Sequence, residues 1–204
     1  MMLRALMVVM MLLPFARAAR AEKAVFAGGC FWCVESDFER VPGVRGVVSG
    51  YTGGASTAPT YDNHEGHYEA VEINFDPGRI SYAQLVRLFL RSVDVTDAGG
   101  QFCDRGPAYR TAIFALTAAQ KAEAAAAVAE AEAQLGRKVV TPVRNAGRFW
   151  IAEDYHQDYY KGSTLVLTRA GPKTQANAYK FNRTACGRDA RVKEVWGKDA
   201  AFAH

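Results

Sequence analysis

Between Ala24 and Gly136 the apolar residues switch repeatedly between a spacing of two and a helical spacing, with a turn signal at each switch. That succession of periods restricts the fold more than any other feature of the chain. Ala24 to Ala27 is a short apolar stretch that stops at Gly28-Gly29, after which Phe31, Val34, Phe38 and Val41 fall at helical spacing until Pro42-Gly43. Val44 to Ser49 reads as a second strand. Val71, Ile73 and Phe75 alternate with Glu72 and Asn74 as a third, closed by Asp76-Pro77-Gly78. Ser81 with Gln84 makes a capping box for a helix that carries Leu85, Leu88 and Phe89 and ends near Asp94. Arg110 to Leu116 reads as a fourth strand, and Thr117 with Gln120 repeats the capping box before an Ala-rich helix ending at Gly136. The order β-α-β-β-α-β plus a helix predicts an α+β fold, a ferredoxin-like split β-α-β sandwich with an extra helix.

Beyond Val139 the pattern weakens. Glu153 to Tyr160 reads as a short helix, and Gly162 to His204 as an irregular C-terminal tail, charged and ending in aromatic residues. Two connections are long: the Gly-rich loop between the second and third strands, and the polar loop Asp97 to Pro107. Long loops on a compact scaffold are where chemistry is expected. The 204 residues, 50% of them hydrophobic, suit one domain and exclude a disordered or fibrous class.

Residues 1–21 read as a secretory signal peptide: Arg4 supplies positive charge, Ala5 to Phe15 an apolar run, and Ala16-Arg17-Ala18 or Ala19-Arg20-Ala21 a small-residue cleavage site. A membrane span needs about 20 apolar residues, and Pro14, Arg17 and Arg20 interrupt this run. A cleaved signal, and therefore a periplasmic or secreted mature domain over residues 22–204 with no stable membrane span, is the expectation. Cleavage after Ala18 lowers the formal charge from +4 to +2, and cleavage after Ala21 leaves +1. No strong field remains to argue for nucleic acid.

Four cysteines, Cys30, Cys33, Cys103 and Cys186, would enter an oxidising compartment, where structural disulfides are the plain reading. Cys30 is set apart by its place. Gly28-Gly29-Cys30 puts it at the first turn of a helix, where unpaired backbone N–H groups and the helix dipole favour a thiolate. The glycines let the chain turn sharply and leave the sulfur open. By itself this describes a reactive thiol, a buried small hydrophobe or half of a staple.

Gly29-Cys30-Phe31-Trp32 resembles the signature of the A-class peptide methionine sulfoxide reductases. The resemblance continues, in the family's order, through Ser49-Gly50-Tyr51-Thr52-Gly53-Gly54, Pro59-Thr60-Tyr61, Gly66-His67-Tyr68-Glu69-Ala70-Val71, Gly100 to Gly106 with Tyr109-Arg110, and Ala152-Glu153-Asp154-Tyr155-His156-Gln157. The family's ferredoxin-like fold agrees with the order of elements read above without it. The resemblance implies that the Cys30 thiolate attacks the sulfoxide sulfur, that methionine leaves, and that a sulfenic acid remains on Cys30. It implies Glu69 as the acid, which at neutral pH requires burial to raise its pKa, while Glu72 is expected to face solvent. Tyr61 and Tyr109 match two phenols that hydrogen-bond the sulfoxide oxygen, and Asp104 a supporting carboxylate. Phe31 and Trp32 match the aromatic wall around the S-methyl group. Core packing is the ordinary fate of aromatic residues and a solvated strand end that of a glutamate, so these roles are carried by the resemblance.

The sulfenic acid must be resolved by a second thiol. Cys186, in a glycine-bearing tail expected to be flexible enough to reach the site, resembles the family's C-terminal resolving cysteine and is the expected partner. Cys33 departs from the glycine common at that place and makes Cys30-Phe31-Trp32-Cys33 a redox-type C-x-x-C. Helical geometry strains a bridge between residues three apart, which favours Cys186 as the first partner. Cys103 reads as a relay thiol, a structural thiol or half of a staple with Cys33. The reductant implied is an external dithiol such as thioredoxin, with no bound cofactor or metal. Free or protein-bound methionine S-sulfoxide is the implied substrate, and a monomer the expected state.

Two readings of other classes compete. A thioredoxin-like exchanger would use Cys30-Cys33 but leaves Glu69 and the tyrosines without a role. A zinc module would need a second C-x-x-C, which is absent from the sequence. His64-Glu65-Gly66-His67 has its histidines three apart in a Gly-rich loop, whereas the metalloprotease motif needs them four apart on a helix.

Overall fold

The computed structural model describes residues 20–203. The expected signal peptide falls, as far as Ala19, outside the described residues. The chain runs β1 (Glu22–Gly28), α1 (Phe31–Phe38), β2 (Val44–Thr52), β3 (Tyr68–Phe75), α2 (Tyr82–Leu90), β4 (Gly100–Gln101), β5 (Asp104–Arg105), β6 (Thr111–Ala115) and α3 (Ala118–Leu135). It continues with β7 (Val143–Asn145), β8 (Trp150–Ile151), β9 (Leu165–Thr168), β10 (Gly171–Thr174), α4 (Gln175–Ala185) and α5 (Arg188–Trp196).

The main sheet has the order β7-β6-β1-β3-β2-β8. β3 lies between β1 and β2 and is antiparallel to both, and β6 pairs antiparallel with the other edge of β1. This is the split β-α-β arrangement expected from the sequence. Short β7 and β8 extend it at either edge, β7 parallel to β6 and β8 antiparallel to β2.

Alternation along the strands sorts the side chains. Phe26, Val71, Ile73 and Phe75 point into the larger core with Phe38, Leu85, Phe89, Ala124 and Ala127 of the helices. Val25, Ala27, Ala70, Ala112 and Phe114 face the other way, where Ala146 and Phe149 pack on them. Glu69 shares the parity of Val71 and Ile73, so it faces the helix side. Both helix starts behave as read: Ser81 and Gln84 close the capping box of α2, and Thr117 accepts from the Gln120 backbone N–H at α3. α2 stops at Leu90, a turn short of the expected Asp94.

The expected irregular tail is a correction. Residues after Gly162 form the β9–β10 hairpin and the two helices α4 and α5, joined at Gly187 in the left-handed conformation. Their anchors are polar, which is why an apolar period did not reveal them. Arg183 bonds Asp37 of α1 at 2.8 Å, and Arg191 bonds Asp94 at 2.7 Å. Trp196 donates its indole N–H to the Val93 carbonyl and enters the main core with Val192. The short helix expected over Glu153 to Tyr160 is two single 3₁₀ turns, Asp154–His156 and Tyr159–Lys161. Among the described residues, no helix is long and apolar enough to cross a membrane.

Candidate active site

β1 ends at Gly28, and Gly29 turns the chain at φ +81° into Cys30, the N-cap of α1. A Cβ on Gly29 would sit 2.6 Å from that of Gln101, so this turn requires glycine. Glu69 lies beneath the start of α1, where its carboxylate accepts the Phe31 backbone N–H at 3.1 Å. One of the unpaired donors of the helix start is thereby spent on Glu69. The carboxyl is 2% exposed, and burial pushes its pKa up to about 8 despite that bond. It is therefore a carboxylic acid at neutral pH.

Tyr61 and Tyr109 come together from two loops, within a side-chain hydrogen bond of each other. Burial first, then the Glu69 carboxyl, raises the pKa of each phenol, and Cys30 and Asp104 add to this. These residues converge from β3, the Gly-rich loop, β5 and the 3₁₀ turn Pro107–Tyr109. Both phenols keep their protons and are donors. Asp104 is half-buried, and burial raises its pKa while the Arg188 guanidinium opposes the rise.

Trp32 is the partly exposed member of the aromatic wall. Its ring stacks on Tyr159 with 3.7 Å between centroids, and its N–H donates to His156 Nδ1 at 3.2 Å. Burial brings His156 down to about 4, so it is a neutral acceptor. The His156 ring also lies 4.7 Å from Tyr61 and 5.0 Å from Phe31. Phe31, placed by the resemblance in the same wall, is 1% exposed and packs on Tyr51 and His156. Glu153 joins two parts of the site, accepting from the Tyr51 hydroxyl at 3.1 Å and from the Tyr61 backbone N–H at 2.8 Å. His156, Tyr159 and Glu153 were not singled out in the sequence. The matched segment Ala152 to Gln157 was the signal that could have found the first and last of them.

The two thiols of the C-x-x-C are neighbours that share a hydrogen bond. That bond is the largest cause raising Cys30 well above the ordinary cysteine value, with burial next. It lowers Cys33, which the Arg188 and Arg183 guanidiniums also favour as an anion. The helix start is therefore not the only influence on Cys30: the bond to Cys33 and burial raise it, while that same bond and the two guanidiniums lower Cys33. Cys33 is buried against Tyr159, Ala178 and Tyr179, whereas Cys30 is partly exposed.

Cys186 is not in a free tail. It ends α4 and is bonded to Cys103, with a Cα–Cα distance of 4.9 Å. Neither the expected Cys30–Cys186 link nor a Cys33–Cys103 staple is present. All four cysteines line one cleft of about 660 Å³, together with Trp32, Tyr61 and Asp104. Glu72 lies on the opposite face from Glu69 and is ion-paired with Lys23 at 2.7 Å. His64 and His67 serve the loop, His64 bonding the Tyr61 carbonyl and His67 the Gly54 N–H.

The family model described as "Peptide methionine sulfoxide reductase" matches residues 22–190. The chain is 51% identical over 195 residues to "Peptide methionine sulfoxide reductase MsrA 2" of Rhizobium meliloti, covering 95% of this chain and 91% of that one. Among solved structures it is similar to methionine sulfoxide reductase A of Corynebacterium diphtheriae, with TM-score 0.65, 28% identity, and coverage of 75% and 84%. It shares its fold with Mxr1 of Saccharomyces cerevisiae, solved in complex with Trx2, at TM-score 0.52, 22% identity, and coverage of 67% and 84%.

Proposed function

The chain belongs to the peptide methionine sulfoxide reductase family, and from that premise we propose how its residues divide the work of returning methionine sulfoxide to methionine. It is an oxidoreductase; the roles of individual residues are the proposal.

Cys30 is the nucleophile. As it attacks the sulfoxide sulfur its proton passes to Cys33. Glu69 supplies the proton for the sulfoxide oxygen, which Tyr61 and Tyr109 hold by hydrogen bonds as negative charge develops. Methionine departs, the oxygen stays on Cys30 as a sulfenic acid, and the sulfur of Cys30 has given up two electrons. Cys33, now a thiol, attacks that sulfur, so that a Cys30–Cys33 bond forms and the oxygen leaves as water. Trp32 supplies the apolar face for the S-methyl group, held in orientation by His156 and Tyr159, and Asp104 supports the donors.

One observation carries this reading. A buried carboxyl that is protonated at neutral pH is bonded to the backbone N–H of Phe31, the residue next to the nucleophile. Protonation of the sulfoxide oxygen as methionine leaves is the step that an acid held beside the nucleophile serves.

The substrate class is the S epimer of methionine sulfoxide, free or in proteins, reduced by a thioredoxin-type dithiol. Mxr1 with Trx2 supports the reductant. The signal-like N-terminus supports a periplasmic or secreted place of action. The reading is tested by incubating the mature protein with each epimer and dithiothreitol. Methionine should form from the S epimer only, and Cys30→Ser should form none. Equal turnover of both epimers, or full activity of Cys30→Ser, contradicts it.

A further inference from the structure

We propose that β9 is a docking strand for polypeptide substrates: an extended, apolar segment of a damaged chain pairs with its free edge beside Leu165 and Leu167, and so presents its methionine sulfoxide to Cys30. This rests on the reading of Cys30 just given and adds to it an element that selects sulfoxides by the residues around them.

Side chains alternate along β9. Val166 packs on the cluster of Cys33, Tyr159, Ala178 and Tyr179, which lays the hairpin against α4. Leu165 and Leu167 point the other way and are 72% and 86% exposed. Pro172, paired opposite Leu167 and also exposed, extends the same face. Contiguous apolar surface of this kind marks a place where something binds, whereas leucines scattered singly do not.

The backbone names the kind of occupant. β9 and β10 form a sheet of two strands, so each keeps one edge whose N–H and C=O groups are left for another partner. β10 carries Pro172, which has no N–H, and Lys173, both residues that blunt an edge. Leu165–Thr168 carries neither. An unblunted edge with apolar side chains beside it is completed by an extended peptide, whose main chain supplies hydrogen bonds in series and whose alternate side chains meet the strand's own. A free amino acid offers no such series. The strand is also formed in advance: the Thr168 hydroxyl donates to the Gly171 carbonyl at 2.6 Å, and the Gln175 N–H to the Thr164 carbonyl at 2.9 Å, so both ends of the hairpin are tied. Little ordering is left to oppose binding.

Position links the strand to the chemistry. Leu167 and Thr168 line the cleft that also holds Cys30, Trp32 and Tyr61. Phe181 of α4, 42% exposed under the Lys173 ammonium, lines it too. At about 660 Å³ the cleft is within the range of about 300–1,000 Å³ that takes drug-sized ligands. One sulfoxide side chain against Trp32 fills only part of it, and the residues next to that side chain take the part bounded by Leu167 and Phe181.

The test measures kcat and KM of the mature protein with dithiothreitol on free methionine S-sulfoxide and on two unstructured peptides of equal length, one with valine and leucine around the sulfoxide and one with serine and glycine. The apolar peptide should exceed the polar one in kcat/KM by about tenfold or more. The double variant Leu165→Asp, Leu167→Asp should abolish that advantage by raising KM, with turnover of free methionine S-sulfoxide unchanged. Methylating alternate backbone nitrogens of the apolar peptide, which removes donors and keeps side chains, should abolish it in the unmodified protein. Equal kcat/KM for the two peptides, or an advantage that survives either change, overturns the docking strand and leaves the proposed function standing. A double variant impaired only when thioredoxin replaces dithiothreitol gives the edge to the reductant and overturns it as well. No turnover of free methionine S-sulfoxide by the unmodified protein overturns the proposed function itself.

Discussion

At the scale of single residues, the chemistry depends on two groups, the buried Glu69 and the partly exposed Cys30, whose protons sit where solution values would not put them. Glu69 has a folded pKa of about 8, above its unfolded value of about 4.3. Its favourable contribution to stability is therefore complete below the unfolded pKa and is lost as pH rises through about 8, because the native state holds the proton longer. As an acid it is competent over that same range, so kcat/KM should fall above about pH 8. Glu69→Gln should lower turnover by about 10²–10⁴-fold and flatten the decline of the denaturation midpoint between pH 5 and 8. Glu35, buried and raised to about 7, contributes to the slope that remains, as do Asp37 and Asp104, which burial also raises. An unchanged kcat/KM in Glu69→Gln contradicts its role as the acid. The second group is Cys30, whose pKa is raised first by the bond to Cys33. Cys33→Ala should bring the midpoint of Cys30 alkylation to lower pH, as read by mass spectrometry across a pH series. Little of this was legible beforehand. The motif named Glu69, but the lowered Cys33 depends first on its hydrogen bond to Cys30 and then on Arg188 and Arg183, which lie about 150 residues away in the chain.

At the scale of elements, legibility followed the source of stability. β3 was readable because its alternation is apolar against polar, and that same alternation puts Glu69 on the face of Val71 and Ile73. α2 and α3 were readable from their caps. α4 and α5 were not, since charge supplies much of what fastens them beside a few apolar anchors such as Ala178, Val192 and Trp196: Asp37 is 2% exposed and paired with Arg183, itself paired with Asp189. Removing one partner of a buried pair costs more than the pair contributes, because the other charge is left without compensation. Arg183→Ala should therefore destabilise the protein by about 3 kcal/mol, read as a lower denaturant midpoint, whereas exposed Arg87→Ala at the Glu130 pair should change it by less than about 1 kcal/mol. Equal small effects would show that α4 is held by its apolar contacts instead. The flexible tail expected around Cys186 departs from the structure for the same reason: polar anchors and a bond to Cys103 hold a segment that lacks an apolar period.

At the scale of the whole molecule, the fold gathers four parts of the chain at one end of a sheet. The β1–α1 turn brings the nucleophile, β3 the acid, the two long loops the donors, and the C-terminal helices the guanidiniums that favour charge on the thiol pair. The central claim is that Cys30, and no other thiol, takes the sulfoxide oxygen. The direct measurement is on a Cys33→Ser, Cys103→Ser, Cys186→Ser variant, which retains Cys30 alone, given methionine S-sulfoxide and a 1,3-dicarbonyl probe for sulfenic acid. One methionine should form per chain, with the probe attached to Cys30. Methionine formed without a Cys30 adduct, or formed equally after Cys30 is also replaced, would contradict the claim.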